Sequence, residues 1–385
     1  MRLFVFLIFL FSSLSFAAPD EAELGKAQGY PLCPTSGRGT FTEQNCLVGT
    51  YTRLDEIVSA RKVAKPAAAR PLHHTAQEPA LGADAYMADN RNTGLLVLKG
   101  DTILAERYQY GATAATRLTG MSMTKTVVGM LIGVALNEGK IKSIDQKAEE
   151  FLPELKGHPY GETSLRHLLT MSSGVRFSEE YDGRDDVSTL GRRTLYHLGP
   201  GGADNVLSFN QRERNAGERF YYASSESEVL ALVLRAATGV PLADYLSEKI
   251  WQPMGAEADA TWLVDRGGYE LGYMGINATL RDWGRFGLLL ANDGALNGRQ
   301  IIPAAWVRAA TTADAPHLQY GKAAGTAGFG YQTWLIDRDT RRFALLGQRG
   351  QSIFVDAATK LVIVHTGSMA REEQFALFYG ALNSL

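Results

Sequence analysis

The stretch TGMSMTKTVVGMLIGVALNEGKI, residues 119–141, opens with small and polar residues and then runs apolar. That pattern predicts a helix, and Asn137, Glu138 and Gly139 mark its end, glycine being a frequent helix C-cap. Lys125 lies three residues after Ser122, nearly one turn, so the two side chains stack on one face. A serine at a helix N-terminus sits where free backbone N–H groups and the helix dipole favour negative charge. On a buried face, desolvation lowers the lysine pKa and leaves a neutral amine able to take the serine proton. The competing reading is an N-cap serine beside a lysine that snorkels to water. The local sequence leaves both open.

The same spacing recurs at Ser59-Ala60-Arg61-Lys62. This copy lies in LDEIVSARKVAK, 54–65, which reads as a short helix just before an Ala/Pro-rich linker, 65–86. No apolar helix follows to bury Lys62, so the recurrence is read as chance.

Outward from residue 119, TGLLVLKGDTILAERYQYG reads as two strands joined at Gly100-Asp101, a hairpin signal. The middle, about 145–310, reads as mostly helical. Segments 164–175, 224–239, 241–255 and 280–294 carry apolar residues at helical spacing, and the last three end at glycine. GFGYQTWLID, RRFALLGQ, QSIFVDA and KLVIVHTG then read as strands, and EEQFALFYGALNSL as a terminal helix. Strands early and late with helices between them predict an α+β sandwich. One antiparallel sheet is built from both chain ends and flanked by helices, with a mostly helical insertion.

The 385 residues, 45% hydrophobic and 21% charged, support a sizeable core in one large elaborated domain or in two domains. A net charge of −2 without a basic run argues against nucleic acid as the main partner. MRLFVFLIFLFSSLSFAAPDEA has the charged, apolar and small-residue zones of a secretory signal, with cleavage expected after Ala17 and a periplasmic or secreted product. No other segment is apolar and long enough to span a membrane. In an exported chain the two cysteines, Cys33 and Cys46, are expected to form a disulfide. It would staple an N-terminal extension, 18–84, that is loop-like to residue 50. His73 and His74 read as solvated loop residues. The seven histidines show no paired-ligand spacing with the cysteines, so no metal is expected.

A third group usually completes a Ser–Lys site. Tyr222-Ala223-Ser224, in AGERFYYASSESEVLALVL, lies where a loop meets a helix, and a tyrosine there can relay a proton between nucleophile and leaving group. Tyr245-Leu246-Ser247 repeats the pattern mid-helix and is read as core or surface. Taken in order, Ser122-Met123-Thr124-Lys125, Ser143-Ile144-Asp145, the run Leu165 to Gly174, and Gly217 to Ser224 resemble the serine β-lactamase-related hydrolases over residues 85–385. That family includes class C β-lactamases, DD-peptidases, esterases and 6-aminohexanoate-dimer hydrolases. The resemblance implies a β-lactamase/transpeptidase-like fold and acyl-enzyme chemistry at Ser122. Lys125 would be the general base and Tyr222 the proton relay, with no metal or organic cofactor.

The family's third motif is Lys-Thr-Gly or His-x-Gly on a strand lining the site. His365-Thr366-Gly367 is tempting, but in the family two strands follow the motif, and here His365 falls near the end of the second. The matching segment is Leu345 to Gln351, which puts Leu345 where a substrate-binding cation is expected. Gly347-Gln348-Arg349-Gly350-Gln351 without the lysine is similar to the 6-aminohexanoate-dimer hydrolase and esterase branch. So is the segment 272–294, whose Arg281-Asp282 pair is read as clamping its helix. Arg349 either replaces the missing cation or is a solvated loop arginine. The oxyanion hole is expected at the N–H of Ser122 and an N–H near Gln348 or Arg349. The charged loop 177–193 either rims the cleft, offering Tyr181 and Asp182 along with Asp185 and Asp186, or is a solvated acidic loop. Ser224, Gly347, Gln348, Arg349, Gly350, Gln351, Tyr181 and Asp182 are therefore the candidate substrate-binding residues.

These readings converge on an exported serine hydrolase acting on a small-molecule ester or amide. The alternatives are a DD-peptidase or β-lactamase, or a non-turnover ligand-binding or sensing domain of the same fold. Oligomeric state has no signal in the sequence.

Overall fold

The computed structural model describes residues 18–34, 41–368 and 373–385; the secretory signal expected over 1–17 lies outside the described residues. The strands are β1 (Ala60–Val63), β2 (His73–His74), β3 (Asn92–Lys99), β4 (Thr102–Tyr108), β5 (Leu118–Thr119), β6 (Ala260–Leu263), β7 (Ile276–Ala278), β8 (Ala295–Leu296), β9 (Arg299–Gln300), β10 (Gly328–Phe329), β11 (Trp334–Asp337), β12 (Arg342–Gly347), β13 (Gln351–Asp356) and β14 (Leu361–Gly367). The helices are α1 (Leu47–Arg53), α2 (Ala83–Asp89), α3 (Met123–Asn137), α4 (Leu165–Leu169), α5 (Asp186–Thr194), α6 (Ser224–Thr238), α7 (Leu242–Leu246), α8 (Leu280–Ala291), α9 (Ala304–Ala310) and α10 (Glu373–Ser384).

The main sheet has the order β10-β11-β12-β13-β14-β3-β4-β2. It is antiparallel apart from the β2–β4 pair, and it joins the two ends of the chain as the sequence predicts. Its central strands are apolar at almost every position because helices cover both faces. Side chains alternate between faces. Leu95 and Val97 therefore pack with Phe354, Ile363, Met87 of α2 and Phe378 of α10, while Leu96, Leu98, Ile353 and Val362 join the large core of α3 and α8. This arrangement is the expected α+β sandwich. Helix α3 is buried along nearly its whole length, which explains why it is apolar all round. Gly133 lets α9 approach, since a Cβ there would meet the Trp306 ring at 2.1 Å.

A second sheet, β1-β6-β7-β5, was not expected. Two of its strands lie in the region read as helical, and β1 takes the later part of the helix expected over 54–65. Only Leu54–Glu56 makes a single 3-10 turn there. Ala60–Val63 instead pairs with the open edge of β6, and that pairing overrides local helix preference. The helix expected over 164–175 is also shorter, ending at Leu169 before Met171 turns left-handed at φ 52°.

The segment 18–84 is more than a loop and a linker. Cys33 and Cys46 form the expected disulfide. Leu47 and Tyr51 of α1 and the following Leu54 enter the main core. His73 and His74 are exposed but pair with β4 at the sheet edge. Among the described residues no single helix is long and apolar enough to cross a membrane.

Candidate active site

Strand β5 delivers the chain to the head of α3. Gly120 N–H donates to Ile276 O at 2.8 Å, and Met121 then adopts φ 45°. A left-handed conformation on a non-glycine residue costs on the order of 1–3 kcal/mol and concentrates at functional sites. Tyr181 and Arg349, which with Met121 line a cavity beside Ser122, are left-handed as well, at φ 57° and 60°.

Ser122 makes no side-chain cap to its helix. Its Oγ instead accepts a 2.8 Å hydrogen bond from Lys125 Nζ. Lys125 is 2% exposed. Its second bond, 3.0 Å, goes to the Tyr273 carbonyl, so both partners are neutral oxygens. The ammonium lies over the Tyr222 and Tyr273 rings, 5.0 and 5.7 Å from their centroids. Burial pulls its pKa down to about 8, against the pull of Glu179 and Glu228. The cap-and-snorkel reading therefore fails, because the serine does not cap and the lysine does not reach water.

Tyr222 stands at the entry to α6, close to Ser122 and with its ring under Lys125 Nζ. Its ring stacks on Trp334 at 5.6 Å and 21°, which fixes the hydroxyl. Burial raises the phenol above its ordinary range, so it stays protonated and can donate. Ser122, Lys125 and Tyr222 thus converge. The decoy Tyr245 is buried in α7, with its hydroxyl on Glu138 at 2.9 Å.

Beside Ser122 opens a cavity of about 860 Å³. Of the residues proposed for substrate binding, Ser224, Tyr181, Asp182, Gln348 and Arg349 line it. The other three play different parts. Gly347 is held against the turn that leads into Ser122, where a Cβ would meet Gly120 O at 2.7 Å and Met121 Cβ at 3.1 Å. This close approach brings the end of β12 beside Ser122. Gly350 is buried behind it. Gln351 is 1% exposed, and its amide bonds Gly367 O at 2.6 Å and Gly367 N–H at 3.1 Å. It pins β13 to β14 and does not face the cavity, so its proposed substrate contact is withdrawn.

Arg349 is not a solvated loop arginine. Its Nη2 donates to Phe41 O at 2.8 Å, in the N-terminal extension. Leu345 is fully buried in the main core, so the place expected for a cation is apolar. His365 is also fully buried, with Nδ1 2.9 Å from Tyr86 OH, and lies outside the cavity lining. Asp282 ties Thr279, Glu257 N–H and Arg285 together at the start of α8, and Arg281 pairs with Glu106 at 2.7 Å, as the clamp reading expected.

One participant was missed. Glu179 lines the cavity and accepts bonds from Ser224 N–H and Ser224 Oγ, both at 2.8 Å, and from Tyr181 OH at 2.6 Å. It caps α6 from a distant loop and sets a negative charge near Lys125 and Tyr222. The charged loop 177–193 was the only hint. Within it, Asp185 caps α5 through Ser188 N–H and Asp186 holds Ser178, so those carboxylates fold the loop. Among the described residues no group of three or more His, Cys, Asp or Glu is placed to hold a metal.

The beta-lactamase family matches residues 83–368. This chain belongs to the beta-lactamase family. Its fold is that of β-lactamases and penicillin-binding proteins. The 6-aminohexanoate-dimer hydrolase of Paenarthrobacter ureafaciens is 26% identical over 332 residues, covering 83% of this chain and 84% of that protein. A solved Bacillus anthracis structure assigned by name to the 6-aminohexanoate-dimer hydrolases aligns with a TM-score of 0.76 at 24% identity, over 88% of this chain and 93% of that one. EstCE1, described as a hydrolase with promiscuous acyltransferase activity, shares the fold at a TM-score of 0.61 and 14% identity, over 78% and 96% of the two chains. Membership of the beta-lactamase family makes this chain a hydrolase.

Proposed function

We propose that the protein is an exported serine hydrolase that cleaves a small linear amide or ester through an acyl-Ser122 intermediate. The observation that carries this reading is the 2.8 Å contact between Ser122 Oγ and a buried Lys125 whose pKa is drawn down to about 8. The neutral amine takes the serine proton as Oγ attacks the substrate carbonyl. The oxyanion is received by the N–H of Ser122 and, given the approach of β12, by that of Gln348. Tyr222 donates a proton to the departing amine or alcohol and is reprotonated from Lys125, which completes acylation. In the second half, water loses a proton to the same pair as it attacks the acyl carbon, and Ser122 Oγ recovers one on leaving.

Three features favour a linear amide or ester over a β-lactam or a D-Ala-D-Ala terminus. Leu345 supplies no cation for a substrate carboxylate. The cavity is walled by Val187, Leu195, Leu198 and Met274, which suit an aliphatic chain. A relative by sequence is a 6-aminohexanoate-dimer hydrolase. Export rests on the N-terminal sequence and agrees with the disulfide.

The test is intact-protein mass after a fluorophosphonate probe, followed by turnover of a short nitrophenyl ester, a linear aminohexanoyl amide and a penicillin. Labelling of wild type but not of Ser122→Ala, with the linear substrates turned over fastest, is the expected result. A folded wild type that resists the probe, or that acylates once and stops, contradicts the hydrolase reading.

A further inference from the structure

The cavity wall includes residues that precede the family match. Phe41 and Thr42 line it together with Ser122 and Gln348, yet the family match begins at residue 83. Three contacts fix this arm. The Phe41 carbonyl accepts Arg349 Nη2 at 2.8 Å, next to the residue assigned to the oxyanion hole. The Phe41 ring packs edge-on against Tyr51 of α1, with centroids 6.1 Å apart, and Tyr51 is buried in the main core. The Cys33–Cys46 disulfide brackets Phe41, and Cys46 directly precedes α1. An aromatic ring so held resists displacement by substrate, because moving it means giving up the packing on Tyr51 and leaving the Arg349 guanidinium short of a partner.

We propose that Phe41, presented by the disulfide-stapled N-terminal arm, is a specificity-determining residue that limits the length of the aliphatic chain the active site accepts. Its turnover readout rests on the hydrolase reading above. Arg349 then works as the anchor of this wall, which accounts for a guanidinium beside the nucleophile that points to a backbone carbonyl.

The experiment uses the full-length, disulfide-intact protein and nitrophenyl esters from acetyl to octanoyl. In Phe41→Ala the octanoyl-to-acetyl ratio of kcat/KM is expected to rise about ten-fold, since each methylene newly accommodated in an apolar pocket changes discrimination several-fold. Phe41→Trp is expected to lower the ratio, and Cys33→Ser/Cys46→Ser to raise it in the direction of Phe41→Ala. Ratios unchanged in both Phe41 variants overturn the proposal. Calorimetric binding of linear aliphatic amides, butanamide to octanamide, to Ser122→Ala with and without Phe41→Ala reads the wall without turnover. If wild type hydrolyses neither ester nor linear amide, the hydrolase reading fails, and a shift of the amide binding profile toward longer chains in Phe41→Ala still supports the wall. No shift, or no binding, rejects it.

Discussion

Two Ser-x-x-Lys stretches occur in one chain, and their surroundings assign them opposite fates. Ser59 and Lys62 lie at the edge strand β1, where residues three apart point to opposite faces. The Lys62 side chain is 67% exposed and reaches Asp259 at 3.6 Å. Ser122 and Lys125 sit at the head of a helix, where the same spacing puts both on one face. Their lysine is 2% exposed and bonds the serine. Spacing alone therefore says nothing until the secondary structure and its burial are known. A lysine in water stays charged and cannot accept the serine proton, whereas a desolvated one can.

The largest expected effect tests that contrast directly. Ser122→Ala and Lys125→Ala should each lower kcat/KM at least about 10³-fold while the protein stays folded. Ser59→Ala and Lys62→Ala should leave it unchanged. Equal losses from the two lysine variants would erase the distinction between the stretches. The next effect is smaller. Tyr222→Phe keeps the stack on Trp334 but removes the hydroxyl, and should cost about 10²-fold in turnover, more for amides than for activated esters, because a poor leaving group needs the proton. An ester-to-amide ratio that does not change on this substitution would mean that Tyr222 does not serve the leaving group.

The parts legible in sequence were those with a local cause. Helix α3 is apolar all round and ends near Gly139, which adopts φ 70°. The hairpin at Gly100-Asp101 is likewise written in adjacent residues. Tyr222 stood out by its place where a loop meets a helix, which sets it apart from Tyr245-Leu246-Ser247 within a helix, and the resemblance pointed to the same residue. What escaped is carried by pairings between distant residues. Strands β5 and β7 are very short and meet through Leu118↔Ala278, so neither has a pattern of its own. Glu179 lies 45 residues from the Ser224 it caps. Arg349 was read as a replacement cation or a solvated loop arginine and is neither, because its partner Phe41 is 308 residues away and no local rule joins them.

The lysine's chemistry can be sharpened by pH. The base must be neutral, so kcat/KM should climb with pH and level off above about 8, following the Lys125 pKa. Glu179 holds that pKa up by its negative charge. Glu179→Gln keeps an acceptor for α6 and removes the charge, so the rising limb should move to lower pH by up to about one unit. A limb that stays in place would show that Glu179 serves Ser224 and the fold without reaching Lys125.

The smallest effect compares Lys125 with a buried group of opposite sign. Glu226 on α6 is fully buried, accepting from Ser173 Oγ at 2.6 Å, and burial pushes its carboxyl up to about 8. Burial disfavours the charged form in both cases, so the lysine moves down and the glutamate moves up. The consequence for stability has a definite sign. Below the unfolded value of 4.5 the carboxyl is protonated in both states, and its favourable neutral burial is fully present. As pH rises toward 8 the unfolded chain releases this proton and the folded chain keeps it, so stability falls until the folded group ionises as well. Glu226→Gln removes the titration while leaving an acceptor for Ser173. Wild type should therefore lose a few degrees more of Tm between pH 5 and pH 8 than the variant does. Parallel Tm curves would mean that Glu226 ionises alike in the folded and unfolded chain, and that its burial beside Ser173 is compensated in a way the lysine's is not.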